Sequence, residues 1–244
     1  MSVARIQPLI RKFERGLRLT DEERAALENL PLRVQPIRTD QDIVREGDRP
    51  ARCFVLLEGF AVAFKRTGAG KRQIMTFHIA GDIPDLQSLH IRRLDNTVST
   101  ITPCKVGFIE HEALVDLCTR FPRLTNALWR ETLTDAAIFK EWVLNVGRRD
   151  AYTGMAHLIC EVVTRMRAVG LVNDDRCAFP MTQNELADAV GISAVHVNRT
   201  LQELRAAGLI SLARGKLHIV DWEALTAAGD FAPDYLYLEQ ERAA

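Results

Sequence analysis

The sequence lacks several features that would otherwise direct a functional assignment. Although 47% of its 244 residues are hydrophobic, no apolar run approaches the ~20 residues that cross a bilayer. The opening "MSVARIQPLIRKFERG" has no apolar signal-peptide core, so a cytoplasmic protein is expected. The five cysteines, Cys53, Cys104, Cys118, Cys160 and Cys177, include no pair at metal-ligand spacing, and no metal is expected. Buried, reduced thiols are the plain expectation, with a redox-sensing thiol left open. There is no nucleophile elbow, P-loop, HExxH or dinucleotide glycine fingerprint, so the chain offers no enzyme chemistry. It also lacks an excess of either charge, with 32 Lys and Arg against 32 Asp and Glu. That balance removes a general attraction to polyanions but permits a local phosphate footprint.

What is present is most informative in "TQNELADAVGISAVHVNRTLQELRAAGLI", Thr182 to Ile210. Thr182 precedes Glu185 by three, a capping box that satisfies orphan amides at a helix start. Leu186, Ala187 and Val190 give this first helix an apolar side. Gly191 supplies the left-handed residue that ends a helix sharply, and Ser193 can cap a second helix. Val197, Leu201 and Leu204 recur at spacings of four and three and share one face. His196, Asn198, Arg199 and Gln202 are displaced from it, available to a partner. Two short capped helices joined at a glycine make a helix-turn-helix. The following "GLISLARGKLHIV" reads as strand, Arg-Gly turn, strand, which is a wing. Charge supports this locally: from Val190 to Val220 the cations Arg199, Arg205, Arg214 and Lys216 face Glu203 alone.

The length favours two domains. "TDEERAALENL" at 20–30 is a short helix opened by a Thr20–Glu23 capping box and ended by Pro31. From Leu32 to Glu110, runs such as "FVLLEG", "FAVAFKRTGAGKRQIMTF", "GDI" and "TVSTITPCKVGFI" alternate with turn residues. They predict a compact β-roll or barrel with a hairpin tip at "TGAG", 67–70. Residues 122–150 then form a long helix. Leu124, Leu128, Glu131, Asp135, Ile138, Trp142, Asn145 and Arg149 fall at alternating spacings of four and three, beside a more apolar row of Trp129, Leu133, Ala136 and Val143. Two usable faces suit one against the roll and one against a partner helix, although the polar members make the first row a mediocre zipper. Past the wing, "DWEAL" is a short helix capped by Asp221. The Phe231, Tyr235, Leu236 and Tyr237 cluster is too apolar for a free tail and is expected to fold back.

β-roll, long helix and winged helix-turn-helix, in that order, resemble the cAMP-receptor-protein/FNR (Crp/Fnr) superfamily of bacterial transcription regulators. The resemblance covers about residues 20–220 and rests on "REGD" (45–48), "LLEG" (56–59), "AGD" (80–82) and the 182–210 stretch. It implies an α+β fold: N-terminal helices and a β-roll effector domain of cyclic-nucleotide-binding-like jelly-roll type (1–121), a dimerisation helix (122–150), a winged DNA-binding domain (151–220) and a C-terminal extension (221–244). It implies a homodimer acting on double-stranded DNA in contact with RNA polymerase. A sensor of a small molecule or redox state that acts through protein contacts is the alternative.

The expected DNA-binding residues are Thr182, Gln183, Ser193, Ala194, Val195, His196, Asn198, Arg199, Gln202, Arg214 and Lys216. Relatives place an Arg or Glu early in the recognition helix, where this chain has Ala194 and Val195. Arg199 matches their later arginine and suits guanine O6 and N7; Asn198 suits adenine and Val195 a thymine methyl. Ser193 suits a phosphate at the helix start, and Arg214 and Lys216 on the wing suit the backbone. The corresponding effector-pocket residues are Gly81, Asp82, Asp85, Leu86, Asn96, Thr97 and Phe139. Nucleotide-binding members carry Gly-Glu-Leu where this chain has Pro84-Asp85-Leu86, and Arg-Thr where it has Asn96-Thr97. They offer small hydroxyl residues near Phe139-Lys140. Proline removes an amide donor and asparagine cannot neutralise a phosphate; Arg92 and Arg93 could compensate from the loop, although two loop arginines ordinarily face solvent. cAMP is therefore not expected and the effector is left unassigned. Iron-sulfur members hold a cysteine cluster mostly near the N-terminus, whereas the first cysteine here is Cys53. His78 and His90 are available as haem ligands, but lone histidines more often take structural or surface roles.

Overall fold

A computed structural model describes residues 6–238. They divide into two compact units, one of residues 6–65, 77–136 and 237–238, the other of 66–76 and 137–236.

The first unit begins with two helices, α1 (Gln7–Gly16) and α2 (Asp21–Glu28). α2 opens with the expected capping box: Glu23 N donates to Thr20 Oγ1 at 3.2 Å and Thr20 N to Glu23 Oε2 at 2.8 Å. Seven strands follow along the chain: β1 (Arg33–Ile37), β2 (Asp42–Val44), β3 (Arg52–Glu58), β4 (Ala61–Arg66), β5 (Arg72–His78), β6 (Thr97–Thr100) and β7 (Cys104–Glu110); residues 66–76, with most of β5, belong to the second unit. The strands form two sheets, ordered β1-β7-β3 and β2-β6-β4-β5. The hairpin tip falls at Thr67–Lys71, where Thr67 N donates to Lys71 O. "GDI" forms no strand. Gly81 takes φ +100° and Asp82 accepts from Ile79 N, which makes the segment a turn.

β3 explains why its sequence is apolar without alternation. Cys53, Val55 and Leu57 pack into one cluster with α1 and the helices that follow the roll. Phe54 and Leu56 point the other way into the roll interior, with Leu94, Val98, Val106 and Phe108. A strand buried on both faces carries apolar residues at every position.

α3 (His111–Arg120) leads into the long α4 (Pro122–Gly147). α4 stops short of residue 150 because Asp150 leaves the helix to cap the next, accepting from Thr153 N at 2.8 Å. The four-three row containing polar residues is the inward one: Leu124, Leu128, Ile138, Trp142 and Asn145 are all buried. The polar members have partners. Lys12 on α1 pairs with Glu131 and, at 2.8 Å, with Asp82, while Arg149 donates to Asn145 at 2.8 Å. The apolar row is the exposed one, with Trp129 65%, Leu133 57% and Val143 72% accessible.

In the second unit α5 (Ala151–Ala168) is followed by β8 (Arg176–Ala178), α6 (Gln183–Val190), α7 (Ala194–Ala206), β9 (Ile210–Ala213), β10 (Lys216–Ile219) and α8 (Trp222–Ala228). α5 is the core, with Met155, Leu158, Ile159, Val162 and Val163 fully buried. Asp221 caps α8, accepting from Ala224 N at 2.9 Å. The tail folds back onto α5 through Phe231 and Tyr235, both in ring contact with His157, and Leu236 is buried. Tyr237 stays outside.

Among the described residues no helix is long and apolar enough to cross a membrane.

Candidate nucleic-acid interface

α6 and α7 take the helix-turn-helix form for local reasons. Thr182 Oγ1 accepts from Glu185 N at 3.2 Å, and Thr182 N donates to the Glu185 carboxylate at 2.6 Å. Gly191 ends α6 at φ 74°, ψ 27°, where any other residue would be strained. Ser193 Oγ then accepts from His196 N at 3.2 Å and starts α7. Val197, Leu201 and Leu204 bury the inner face of α7, which fixes what its outer face presents.

That outer face holds the expected residues together. Ser193 caps the helix, and Val195 beside it is 82% accessible. Arg199 and Gln202 are exposed, Ala194, His196 and Asn198 half-buried. Arg199 Nη2 lies 2.9 Å from His196 Nε2. A guanidinium only donates, so this ring nitrogen accepts and the imidazole proton sits on Nδ1. Arg199 Nε stands 3.7 Å from Glu203 Oε1, so one side chain is guided by two others on adjacent turns. Sequence reading singled out both His196 and Arg199 but not the contact between them or with Glu203, although spacings of three and four place the three on one strip.

Thr182 and Gln183 are exposed at the first turn of α6. On the wing, β9 and β10 pair through a two-residue turn, Arg214 (φ 52°) and Gly215 (φ 69°). Positive φ at both central positions suits the right-handed twist of a hairpin, and it carries the exposed Arg214 and Lys216 to the tip. β8 adds a third strand to this sheet, pairing Cys177 with Leu217. Arg205 is engaged within the domain: its guanidinium donates to Leu201 O and Leu212 O.

The effector-pocket residues are spread over separate structural tasks. Gly81 and Asp82 line a cavity of only about 10 Å³ with Lys12, His78 and Glu131. Burial opposes the charge on Lys12, but Asp82, Glu131 and Asp135 outweigh it and hold its pKa above the ordinary range. Asp85 is fully buried; Oδ1 accepts from Phe54 N at 2.9 Å and Oδ2 has no partner. Burial pushes its carboxyl up to about 7. Asn96 accepts from Gln87 Nε2 at 3.3 Å, and Thr97 Oγ1 accepts from Glu46 N at 3.1 Å. Leu86 packs against the α1 cluster. Phe139 belongs to the part of α4 in the second unit. Among the described residues no group of three His, Cys, Asp or Glu side chains could hold a metal ion. Cys53, Cys104, Cys160 and Cys177 are buried and burial raises all four thiols.

Residues 155–228 match the Crp-like helix-turn-helix domain, and residues 34–121 match the cyclic nucleotide-binding domain. This chain belongs to the Crp/Fnr superfamily of transcription regulators. Similar Crp/Fnr proteins include the transcriptional activator protein anr of Pseudomonas aeruginosa, 24% identical over 84% of both chains. The fumarate and nitrate reduction regulatory protein of Salmonella typhi is 23% identical over 86% of this chain and 83% of its own. Among solved Crp/Fnr structures, FixK2 from Bradyrhizobium japonicum superposes with a TM-score of 0.75 at 20% identity, over 83% of this chain and 100% of that one.

Proposed function

We propose that this protein is a homodimeric, sequence-specific DNA-binding regulator whose β-roll does not take cAMP. The observation that carries the reading is the outer face of α7. Val195, Asn198, Arg199 and Gln202 project from a helix whose start, turn and inner face are fixed by capping, Gly191 and burial. Arg199 is the base-reading residue, suited to guanine, with Asn198 set for adenine and Val195 for a thymine methyl. Thr182, Gln183, Ser193, Arg214 and Lys216 hold the phosphates on either side, and Ala194 and His196 complete the contact surface.

Dimerisation is supported by the exposed row Trp129, Leu133, Ala136 and Val143 on α4. A second copy of the same row covers it, and two recognition helices then address half-sites ~34 Å apart. The exclusion of cAMP is supported by the turn at Pro84, which offers no amide. It is further supported by the buried engagement of Asp85 with Phe54 and the amide of Gln87 on Asn96. None of these groups supplies the charge a cyclic phosphate needs. The effector is left unassigned. The protein works in the cytoplasm, and the family resemblance makes RNA polymerase its partner.

Selection from random-sequence duplex DNA tests this reading. The expected product is a two-fold-symmetric site with guanine and adenine in each half, enriched equally with and without cAMP. Enrichment only with cAMP overturns the effector claim, and an asymmetric single half-site overturns the dimer.

A further inference from the structure

We propose that residues 229–236 form a strap, closed by one shared proton, that clamps the C-terminal segment over the junction between α4 and α5. The strap lies beyond the segment matched to the helix-turn-helix domain, and its chemistry is independent of what the protein binds.

The strap reaches α5 because residue 229 is glycine. A Cβ there would stand 2.7 Å from His157 N. At this distance Gly229 O lies 3.1 Å from His157 Nδ1. His157 Nε2 lies 3.1 Å from Tyr235 Oη, and Tyr235 Oη lies 3.0 Å from Glu161 Oε2. Trp142 Nε1, on α4, donates to both Glu161 oxygens at 3.2 and 3.1 Å. A single chain of polar groups therefore links the tail to α5 and to the last turns of α4. His157 and Glu161 are fully buried, so water cannot replace a missing bond.

One shared proton closes the chain. The Gly229 carbonyl only accepts, so His157 Nδ1 must carry hydrogen. Tyr235 has one hydroxyl proton for two neighbours. With a neutral imidazole and an ionised Glu161, both neighbours are acceptors and one bond is lost. One further proton completes all three. It sits on Nε2, giving imidazolium and carboxylate, or on Glu161, whose acid then donates to Tyr235 Oη while the hydroxyl donates to Nε2. Both arrangements bind the same number of protons. Burial lowers the His157 pKa and raises that of Glu161, which favours the uncharged arrangement. The other charged groups facing the chain are Glu141, 3.7 Å from Nε2, and Arg149 on α4. Arg165 on α5 lies 3.5 Å from Glu161, and Asp230, in the strap, pairs with Arg149 at 3.5 Å. They bias where the proton sits and leave the count unchanged.

The sign follows from the released state, where His157 titrates near ~6.5 and Glu161 near ~4.3. Between these values the released pair also holds one extra proton, and closing exchanges none. Above ~6.5 the released pair holds none, so closing takes up a proton and weakens as pH rises. The closing equilibrium then falls by up to about tenfold per pH unit.

Hydrogen exchange of the Phe231 amide, which donates to Thr226 O, reads the strap directly in the full-length protein. After correction for intrinsic exchange, protection in the wild type should fall progressively between pH 6.5 and 8.5, by up to tenfold per unit. Glu161→Gln supplies an amide that donates to Tyr235 Oη without a titrating proton, so its protection should stay high and flat. Tyr235→Phe should lower protection at pH 6.5, with its deficit against wild type closing towards pH 8.5. A flat wild-type profile overturns the proposal, as does a Glu161→Gln profile with the wild-type slope.

Discussion

His196 Nε2 accepts from Arg199 Nη2 at 2.9 Å, one turn further along the recognition helix. This contact restrains a long, two-thirds exposed side chain before any DNA arrives, lowering the ordering entropy at binding. His196→Ala frees the guanidinium without removing it. The expected loss is ~1 kcal/mol, about fivefold in affinity, measured by fluorescence anisotropy on a selected site. Folding should be unchanged.

Leu133 and Leu128 sit on opposite fates of α4, one 57% accessible and the other 6%. Leu133→Glu places a charge in the exposed row and should yield a folded monomer by sedimentation equilibrium. Leu128→Glu places the same charge in the core and should destabilise the first unit itself, by ~3 kcal/mol or more. If Leu133→Glu remains dimeric, the dimer seam lies elsewhere.

Asp85 provides a pH test. Burial pushes its carboxyl up to about 7, against ~3.9 in the unfolded chain. The folded state therefore binds the proton more tightly. The associated stability is fully present below pH ~3.9 and is lost as pH rises through about 7. Asp85→Asn removes this dependence while its side chain can still accept from Phe54 N. Denaturant titrations should show the variant stabilised relative to wild type at pH 8, with that advantage disappearing near pH 4.

Lys12 joins α1 to the Asp82 turn and to Glu131 on α4. Lys12→Met keeps most of the packing but leaves two partly or wholly buried carboxylates without their cation. The expected cost is ~3–5 kcal/mol, read as a lower urea midpoint. A loss under ~1 kcal/mol would mean the cluster is solvated.

The parts of this architecture legible in the sequence are those whose causes are local. Thr182 and Glu185, Gly191 and Ser193 lie within a dozen residues, and each fixes its own cap or turn. The Arg214-Gly215 hairpin and the Thr20–Glu23 box are legible for the same reason. Long-range partners were not. Glu131 and Asp135 read as polar flaws in a helix seam because Lys12, which makes burial of Glu131 tolerable, stands at the other end of the first unit's sequence. β8 has three residues and exists through its pairing with β10. Tyr235 meets His157 across 78 positions, so only its apolar company hinted that the tail folds back. The effector-pocket positions were placed by family resemblance, which carries order along the chain but not side-chain direction. Within the protein, Asp85 accepts from the Phe54 amide and Asn96 from Gln87, partners that lie 31 and 9 positions away.

The central claim, that the outer face of α7 reads DNA sequence, is tested most directly by a salt titration. Wild type and Arg199→Glu would each be titrated on a selected site and on a scrambled duplex. The account predicts that wild type prefers the selected site at every salt concentration. Log affinity should fall linearly with log salt, and Arg199→Glu should lose that preference, by ~1–3 kcal/mol or more. Equal binding of both duplexes by wild type, or an undiminished preference in Arg199→Glu, would contradict it.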